Sequence, residues 1–262
     1  MHIDRSTILL TGATGGIGQA TALHLHRLGA KLIVTGRREA ELEKLVARTG
    51  ARSVVCDLSA SDQLHDLAMA CANVDVVIHN AALPGTGTLE DQDEERINRV
   101  LDVNFRAPVI LSKLIGERML ARGSGHIVFV SSLMGKSAGP SSSLYSATKF
   151  GLRGFSLGLR ADWSARGVGV SAIFPGFIRD AGMFHEGGVK LPAGIGTRTP
   201  EDVSRAVEKA IVKNIAEIDV APVSLRAGAA FSGLFPGLTA KLSGSVSRGI
   251  AEELTKGQAH KR

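Results

Sequence analysis

The sequence predicts one doubly wound α/β domain, spanning 1-262, built on a mostly parallel sheet of seven strands. Short apolar runs alternate with stretches of helical spacing, which is typical of a parallel sheet covered by helices on both faces. A glycine-rich loop follows the first apolar run. The 262 residues, 44% of them hydrophobic, suffice for one substantial core, and no linker or internal repeat indicates a second domain.

Composition and charge argue against several classes of protein. The net charge is +6, but the basic residues are scattered and only 4% of residues are aromatic, which leaves no stacking platform for nucleic acid. There is no apolar run of eighteen residues to span a membrane and no secretory signal in the first ten residues. Cys56 and Cys71 lack C-x-x-C spacing, and the eight histidines form no paired ligand motif. We therefore expect a cytoplasmic protein that binds neither nucleic acid nor a metal ion.

The first strand, Thr7 to Leu10, leads into the loop TGATGGIG and then into a helix. Glycines let a backbone approach a phosphate, and a helix N-terminus supplies N–H donors and a positive dipole. The loop fits TGxxxGxG through Gly12, Gly16 and Gly18, and it also fits TGxxGxxG through Gly12, Gly15 and Gly18. We expect a dinucleotide to be bound here by Gly12, Thr14, Gly15, Gly16, Ile17 and Gly18.

The second strand, Lys31 to Thr35, ends in Gly36-Arg37-Arg38. An acid at this strand end would bind the ribose hydroxyls of NAD, whereas arginine accommodates the 2′-phosphate of NADP. No carboxylate is present, so NADP(H) is favoured over NAD(H), with Arg37 and Arg38 as cofactor-binding residues. The alternative is that both arginines are solvated charges at the start of the next helix.

The stretch from Gly125 to Lys149 places reactive groups at another strand end. An apolar strand ends in Ser131-Ser132, and ligands of open α/β sheets bind at the carboxyl ends of strands. Tyr145 and Lys149 follow, four residues apart on one face of a helix. We expect the ammonium to lower the pKa of the phenol from about 10 toward neutral pH, which would make Tyr145 a proton donor and acceptor. The alternative is a half-buried aromatic residue beside a solvated lysine.

An isolated Y-x-x-x-K motif occurs often by chance. Here it accompanies the glycine loop and a serine thirteen residues before the tyrosine. Together these features resemble the short-chain dehydrogenase/reductase family, from about Thr7 to Asn214, and imply a Rossmann-type fold. The serine at this spacing is catalytic in the family, so the match falls on Ser132. The thirteen-residue spacing and the chain length favour the TGxxxGxG pattern. The resemblance implies the catalytic set Asn104, Ser132, Tyr145 and Lys149, in which Asn104 holds a water connecting the lysine to solvent.

The resemblance also implies cofactor contacts after the third and fourth strands. Asp57 ends the expected third strand, Val54 to Asp57, and matches an acid that meets the adenine amino group in relatives. Ser59 and Asp62, just after it, form a capping pattern for the next helix. The fourth strand, Val74 to Asn80, leads into HNAA where relatives usually have NNAG. Ala82 therefore adds a methyl group where the backbone nears the cofactor ribose. The contacts implied here are Asp57, Leu58, Asn80, Ala81 and Ala82.

In relatives, the turn after the sixth strand, here Val168 to Phe174, lies beside the nicotinamide. The contacts implied are Pro175, Gly176 and Ile178, besides Tyr145 and Lys149. Relatives usually carry threonine where this chain has Asp180. The following segment, 182-199, is glycine-rich with apolar residues interspersed, and we expect it to be a mobile substrate loop. Thr199-Pro200-Glu201-Asp202 should cap a helix that runs to about Asn214.

The variable C-terminal segment, 222-262, follows a seventh strand, Ile215 to Val220. It contains an apolar stretch interrupted by Pro236, which is too polar to span a bilayer and too hydrophobic to be left in water. We expect it to pack over the substrate loop. Packing on a partner subunit or contact with a lipid surface are the alternatives.

These features predict an NADP(H)-dependent oxidoreductase that interconverts a small, hydrophobic secondary alcohol and a ketone or aldehyde by hydride transfer. Tyr145 would transfer the proton, Lys149 would bind ribose, and Ser132 would hydrogen bond the carbonyl oxygen. Relatives dimerise through the helices of Asn104 and Tyr145, which implies a homodimer or homotetramer. Two alternatives stay open: an extended-type epimerase or dehydratase that recycles its cofactor, and a non-catalytic dinucleotide-sensing protein.

Overall fold

Seven strands form one sheet in the order β3-β2-β1-β4-β5-β6-β7, and every neighbouring pair is parallel. The structure is a computed structural model that describes residues 1–180 and 196–242. The chain winds outward from β1 in one direction and from β4 in the other, which confirms the doubly wound prediction. The strands are β1 Thr7–Thr11, β2 Lys31–Gly36, β3 Arg52–Val55, β4 Val76–His79, β5 Gly125–Val130, β6 Val168–Pro175 and β7 Glu217–Val220.

Helices cover both faces of the sheet. The α-helices of the described residues are α1 Gly16–Arg27, α2 Glu39–Thr49, α3 Ser61–Ala70, α4 Glu94–Leu101, α5 Ala107–Arg122, α6 Ser143–Trp163, α7 Pro200–Lys213, α8 Val223–Leu234 and α9 Pro236–Leu242. A π-helical turn, Asp102–Arg106, joins α4 to α5, and a short 3₁₀ turn, Leu133–Gly135, follows β5.

Two apolar clusters, one on each side of the sheet, hold these layers together. One contains residues of α3, α5 and α6, and the other contains residues of α1, α2 and α7. Every residue of β4, β5 and β6 is buried, with Phe129 and Phe174 among the largest fully buried side chains. Each such side chain stabilises the fold by about 1.5–3 kcal/mol. The central strands therefore fix the positions at which their carboxyl ends present functional groups.

Two local predictions for the third strand and its helix are wrong. β3 ends at Val55, so Asp57 lies in the following loop rather than at the end of the strand. Ser59 does not cap α3, because its hydroxyl donates to the Asp57 carboxylate at 2.7 Å; Ala60 is the N-cap and makes no side-chain bond.

The predicted cap of α7 is confirmed. The Thr199 hydroxyl accepts from the Asp202 N–H at 3.2 Å, and the Asp202 carboxylate accepts from the Thr199 N–H at 2.9 Å. Pro200 occupies the first helical position, where its missing N–H costs nothing. Asn214 ends the helix in a left-handed conformation.

The two variable segments are described only in part. Most of 182-199 and all of 243–262 lie outside the described residues, so the packing of the C-terminal segment on the substrate loop stays a prediction. Within α8, Leu225 and Ala229 pack on the core. The exposed large apolar side chains here are Val223, Phe231 and Leu234 of α8, Phe235 between the two helices, and Leu238 of α9. Among the described helices, none has the length and apolar character to cross a membrane.

Candidate active site

The predicted site residues lie along the carboxyl edge of the sheet. Because all strands are parallel, the segments after β1, β4, β5 and β6 emerge on this edge, and β1 and β4 are neighbours at the point where the strand order reverses. Ligands of doubly wound sheets bind at this position. The fold thus brings together the glycine loop, Asn80 to Ala82, Ser131-Ser132 and Pro175 to Ile178.

The glycine loop forms a cradle that side chains would fill. Gly12 has φ +64°, and a Cβ there would lie 2.6 Å from the Ala81 Cα. A Cβ on Gly18 would lie 2.3 Å from the Gly12 carbonyl oxygen, whereas one on Gly15 would make only an ordinary contact at 3.6 Å. Space at Gly15 favours the TGxxxGxG interpretation over the extended-type pattern. The first turn of α1, which begins at Gly16, offers N–H groups to a phosphate.

Thr11 and Asn80 hold this loop against β4. The Thr11 hydroxyl accepts from the N–H groups of Asn80 and Ala81 at 3.0 and 3.1 Å. The Asn80 amide donates to the carbonyls of Thr11 and Gly12, both at 3.0 Å. Thr11 was absent from the predicted site; its only signal in the sequence is a hydroxyl where the apolar strand ends.

His79 is a core residue rather than a cofactor ligand. Its Nε2 lies 3.0 Å from the Ser112 hydroxyl, and its ring stacks on Phe129 with centroids 5.0 Å apart. Burial lowers the pKa of His79 to about 3, so the ring is neutral at physiological pH. The departure from NNAG at this position is therefore accommodated by packing.

Three arginines surround the loop ends of β2 and β3. Arg38 donates to the Thr14 carbonyl at 2.8 Å, which ties it to the glycine loop. The Arg37 side chain is 54% exposed and its Nη1 lies 3.9 Å from the Asp57 carboxylate. Arg99, on α4, donates to the same carboxylate at 2.8 Å. Sequence reasoning missed Arg99, because nothing in the sequence pairs it with a residue 42 positions earlier.

The Asp57 carboxylate is occupied by partners of its own chain. One oxygen accepts from the Ser59 N–H at 3.0 Å and from the Ser59 hydroxyl, and the other accepts from Arg99. Burial raises the pKa of Asp57, but these hydrogen bonds outweigh it and hold the pKa at about 2. The predicted adenine contact therefore has to share a carboxylate that already positions Arg99. Leu58 is buried in the core beside it.

The two serines at the end of β5 have different partners. Ser131 is buried and donates to the Lys149 carbonyl at 3.1 Å, which joins the strand end to α6. Ser132 caps the 3₁₀ turn: its hydroxyl accepts from the Met134 N–H at 3.2 Å and donates to the Pro175 carbonyl at 3.5 Å. Ser132, rather than Ser131, is the serine whose hydroxyl lowers the pKa of the predicted proton donor, against the larger effect of burial.

Tyr145 and Lys149 lie together, but the expected lowering of the phenol pKa is wrong for this structure. Burial raises the pKa of Tyr145 to about 12, although the hydrogen bond with Ser132 opposes the shift. Lys149 is 1% exposed, donates to the Val130 carbonyl at 3.1 Å and lies 5.5 Å from the centre of the tyrosine ring. Burial lowers the pKa of Lys149 to about 8. Desolvation, which sequence spacing does not reveal, dominates both groups.

Asn104 is fully buried in the π-helical turn between α4 and α5. Its side-chain oxygen accepts from the Leu83 N–H at 2.6 Å, and its nitrogen donates to the Leu83 carbonyl at 2.9 Å. The same nitrogen lies 3.4 Å from the Thr148 hydroxyl, next to Lys149. Asn104 therefore joins the loop after Ala82 to the catalytic helix, and π-helical turns often mark functional positions.

The predicted nicotinamide turn follows β6 directly. Pro175 ends the strand, and the Gly176 N–H donates to the Val220 carbonyl at 3.0 Å. A Cβ on Gly176 would approach the Ala221 side chain to 2.9 Å, so the turn packs tightly on the chain after β7. Ile178 is buried, whereas Asp180 is exposed and pairs with Arg179 at 3.3 Å. Asp180 thus has a local partner in place of the threonine of relatives.

Comparisons with known proteins agree with this geometry. A family model described as short chain dehydrogenase matches residues 6–189. The chain is 34% identical over 176 residues to the 3-oxoacyl-(acyl-carrier-protein) reductase FabG of Rickettsia typhi, covering 66% of this chain and 73% of that protein. It is 31% identical over 223 residues to the ketoacyl reductase HetN of Nostoc sp., covering 82% and 78%. A solved short-chain dehydrogenase from Sphingobium yanoikuyae in complex with NADPH gives a TM-score of 0.77 at 25% identity, covering 92% of this chain and 97% of that one.

The buried ammonium predicts an unusual dependence of stability on pH. Folding lowers the pKa of Lys149 from about 10.4 in the unfolded chain to about 8, so the protonated lysine destabilises the folded state below pH 8. Lys149→Met should therefore raise the free energy of unfolding at pH 7. As the pH rises from 8 to 10.5, the free energy of unfolding of the wild type should increase relative to that of the variant by roughly 1.4 kcal/mol per pH unit.

Urea unfolding of both proteins between pH 7 and 10 measures this difference. Lys113→Met is the matched control, because Lys113 is an exposed lysine that pairs with Glu117 on α5. Its difference from wild type should be flat over the same range. A flat difference for Lys149→Met as well would contradict the lowered pKa.

Proposed function

The chain belongs to the short-chain dehydrogenase family and is an oxidoreductase acting on CH–OH and keto groups, and we propose that it uses NADP(H) to interconvert a ketone and a secondary alcohol with Tyr145 as proton donor. The observation that carries the proposal is the position of Lys149, whose buried ammonium lies 5.5 Å from the centre of the Tyr145 ring. This arrangement lies on the same sheet edge as the glycine cradle, which fits a dinucleotide phosphate.

In the proposed mechanism, the Ser132 hydroxyl and the Tyr145 phenol bind the carbonyl oxygen of the substrate. The cofactor, when bound, supplies the hydride to the carbonyl carbon. Because the pKa of Tyr145 is raised to about 12, the phenol holds its proton at neutral pH and can donate it as negative charge develops on the oxygen. Lys149, whose pKa is lowered to about 8, can replace that proton near neutral pH and bind the cofactor ribose.

For the cofactor preference, we propose different roles for the two arginines after β2. Arg37 is half exposed and would bind the 2′-phosphate, since it makes only a long contact of 3.9 Å to Asp57. Arg38 is held by the Thr14 carbonyl and would position the glycine loop for either cofactor. The absence of a carboxylate at Gly36 supports NADP(H), as does the NADPH complex of the Sphingobium yanoikuyae relative.

For the substrate, we propose a 3-oxoacyl thioester as the class to test first. Two of the relatives are named as 3-oxoacyl-(acyl-carrier-protein) reductase and ketoacyl reductase. We place the enzyme in the cytoplasm, a reducing compartment in which the free thiols of Cys56 and Cys71 would persist.

For the assembly, we propose a homodimer, or a homotetramer built from it, formed through α5 and α6. The outer face of α6 exposes Phe150 and Leu157, at 41% and 43%. Gly154 and Gly158 on the same helix have open space where a side chain would be, so another helix can approach closely.

Tyr145→Phe tests the proton donor while preserving the ring. Turnover of acetoacetyl-CoA with NADPH should fall by a factor of about 10² or more, because Ser132 would still hydrogen bond the carbonyl oxygen but the proposed proton donor would be lost. NADPH affinity, measured by fluorescence titration, should change little, since the glycine loop and Lys149 remain. Near-normal turnover would show that Tyr145 is not the donor.

Arg37→Ala and Arg38→Ala separate phosphate recognition from loop positioning. A charge-assisted hydrogen bond contributes about 1.5–3 kcal/mol, so Arg37→Ala should weaken NADPH binding roughly 10- to 150-fold and leave NADH nearly unchanged. Arg38→Ala should weaken both cofactors alike. Calorimetric titration with each cofactor measures these changes, and equal losses of NADPH and NADH in Arg37→Ala would overturn the assignment.

A further inference from the structure

A network of ion pairs connects the edge strand β7 to both segments that carry the catalytic residues. The Glu217 carboxylate accepts from Arg153 at 2.7 and 3.2 Å and from Lys136 at 2.9 Å. Lys136 also donates to the neighbouring strand residue Asp219 at 2.7 Å. The network therefore links three elements that are far apart in the sequence.

The two basic residues of the network, Lys136 and Arg153, lie on the segments that carry Ser132 and Tyr145. Lys136 ends the 3₁₀ turn whose N-cap is Ser132. Arg153 lies one helical turn beyond Lys149 on α6, the helix that also carries Tyr145. Glu217 thus holds the Ser132 turn with one carboxylate oxygen and the Tyr145 helix with both.

This network is shielded enough to constrain geometry. The side chains of Lys136 and Glu217 are only 14% and 21% exposed, and the Lys136 ammonium lies 4.1 Å above the Phe174 ring. Burial raises the pKa of Glu217, but the hydrogen bonds from Arg153 and Lys136 outweigh it and keep the pKa below its ordinary value. Ion pairs with this degree of burial and bidentate geometry constrain side chains more than exposed pairs do.

Ser132 and Tyr145 need such a constraint, since they lie on separate segments joined by a Gly/Pro/Ser loop. A reacting pair must be held to about 0.5 Å for efficient chemistry. We propose that Glu217 is a positioning residue that, through Lys136 and Arg153, fixes the position of the Ser132 hydroxyl relative to the Tyr145 phenol. The role rests on the proposed function of these two residues, but it can be tested without turnover.

The test uses the single tyrosine of the chain. Protein labelled with ¹³C at the tyrosine Cζ gives one such resonance, whose chemical shift responds to hydrogen bonding of the Tyr145 phenol. Ser132→Ala defines the shift caused by complete removal of the Ser132 hydroxyl. Glu217→Gln removes one charge and keeps the side-chain size, and it should move the resonance in the same direction by at least half that amount.

Glu208→Gln is the matched control. Glu208 hydrogen bonds the His24 ring at 2.7 Å, but this contact joins α7 to α1 on the opposite side of the sheet from α6. This variant should lower the melting temperature without moving the resonance. Lys136→Met should shift the resonance in the same direction as Glu217→Gln, because Lys136 carries the contact from Glu217 to the Ser132 turn.

The outcomes separate the positioning role from the proposed function. An unmoved resonance in Glu217→Gln, with a clear shift in Ser132→Ala, would overturn the role of Glu217 and leave the proposed function intact. An unmoved resonance in Ser132→Ala would overturn both, since the Ser132 hydroxyl would then have no effect on the Tyr145 phenol. If Glu217→Gln fails to fold, Glu217→Asp provides the same comparison, and its shorter side chain should give a shift of the same sign.

Discussion

The burial of one ammonium group at the carboxyl edge of the sheet is the constraint on which the site depends. Lys149 is 1% exposed and has the Val130 carbonyl and the Tyr145 ring as neighbours. A buried charge is costly unless its surroundings are fixed. Ser131 fixes the backbone of Lys149 itself, and Asn104 fixes the adjacent Thr148. Burial of the ammonium therefore lowers the stability of the fold, and the apolar clusters offset this loss. The same burial lowers the pKa of Lys149 to about 8.

The parallel sheet brings segments that are far apart in the sequence close to this ammonium. Parallel strands deliver the glycine loop, the Asn80 turn, Ser132 and the Gly176 turn to one edge, and close backbone contacts then set their spacing. The Gly12 position against Ala81 is one such contact, and the Gly176 position against Ala221 is another. Charged side chains complete the assembly at both ends. Arg99 holds Asp57 in the loop after β3, and Glu217 joins the turn after β5 to α6.

Sequence reasoning predicted the parts of this site that depend on local spacing. The sheet class, the glycine positions and the α7 cap follow from periodicity and turn chemistry, while the choice of Ser132 over Ser131 came from family resemblance. The burial of individual side chains and the pairing of residues far apart in the sequence could not be predicted from local spacing. The pKa of Tyr145 shifts upward because of desolvation, and Ser59 bonds Asp57 instead of capping α3. The Lys136–Asp219 contact joins residues 83 positions apart, and no local sequence pattern predicts it.

The destination of the cofactor hydride shows directly whether the protein reduces a ketone with NADPH. NADPH carrying deuterium at both C4 positions can be incubated with acetoacetyl-CoA, and the product analysed by mass spectrometry alongside the NADP⁺ formed. With hydride transfer from NADPH, we expect one deuterium on the new carbinol carbon and one NADP⁺ for each product molecule. Protium at that carbon, or product formed without net oxidation of NADPH as in an epimerase that recycles its cofactor, would contradict it.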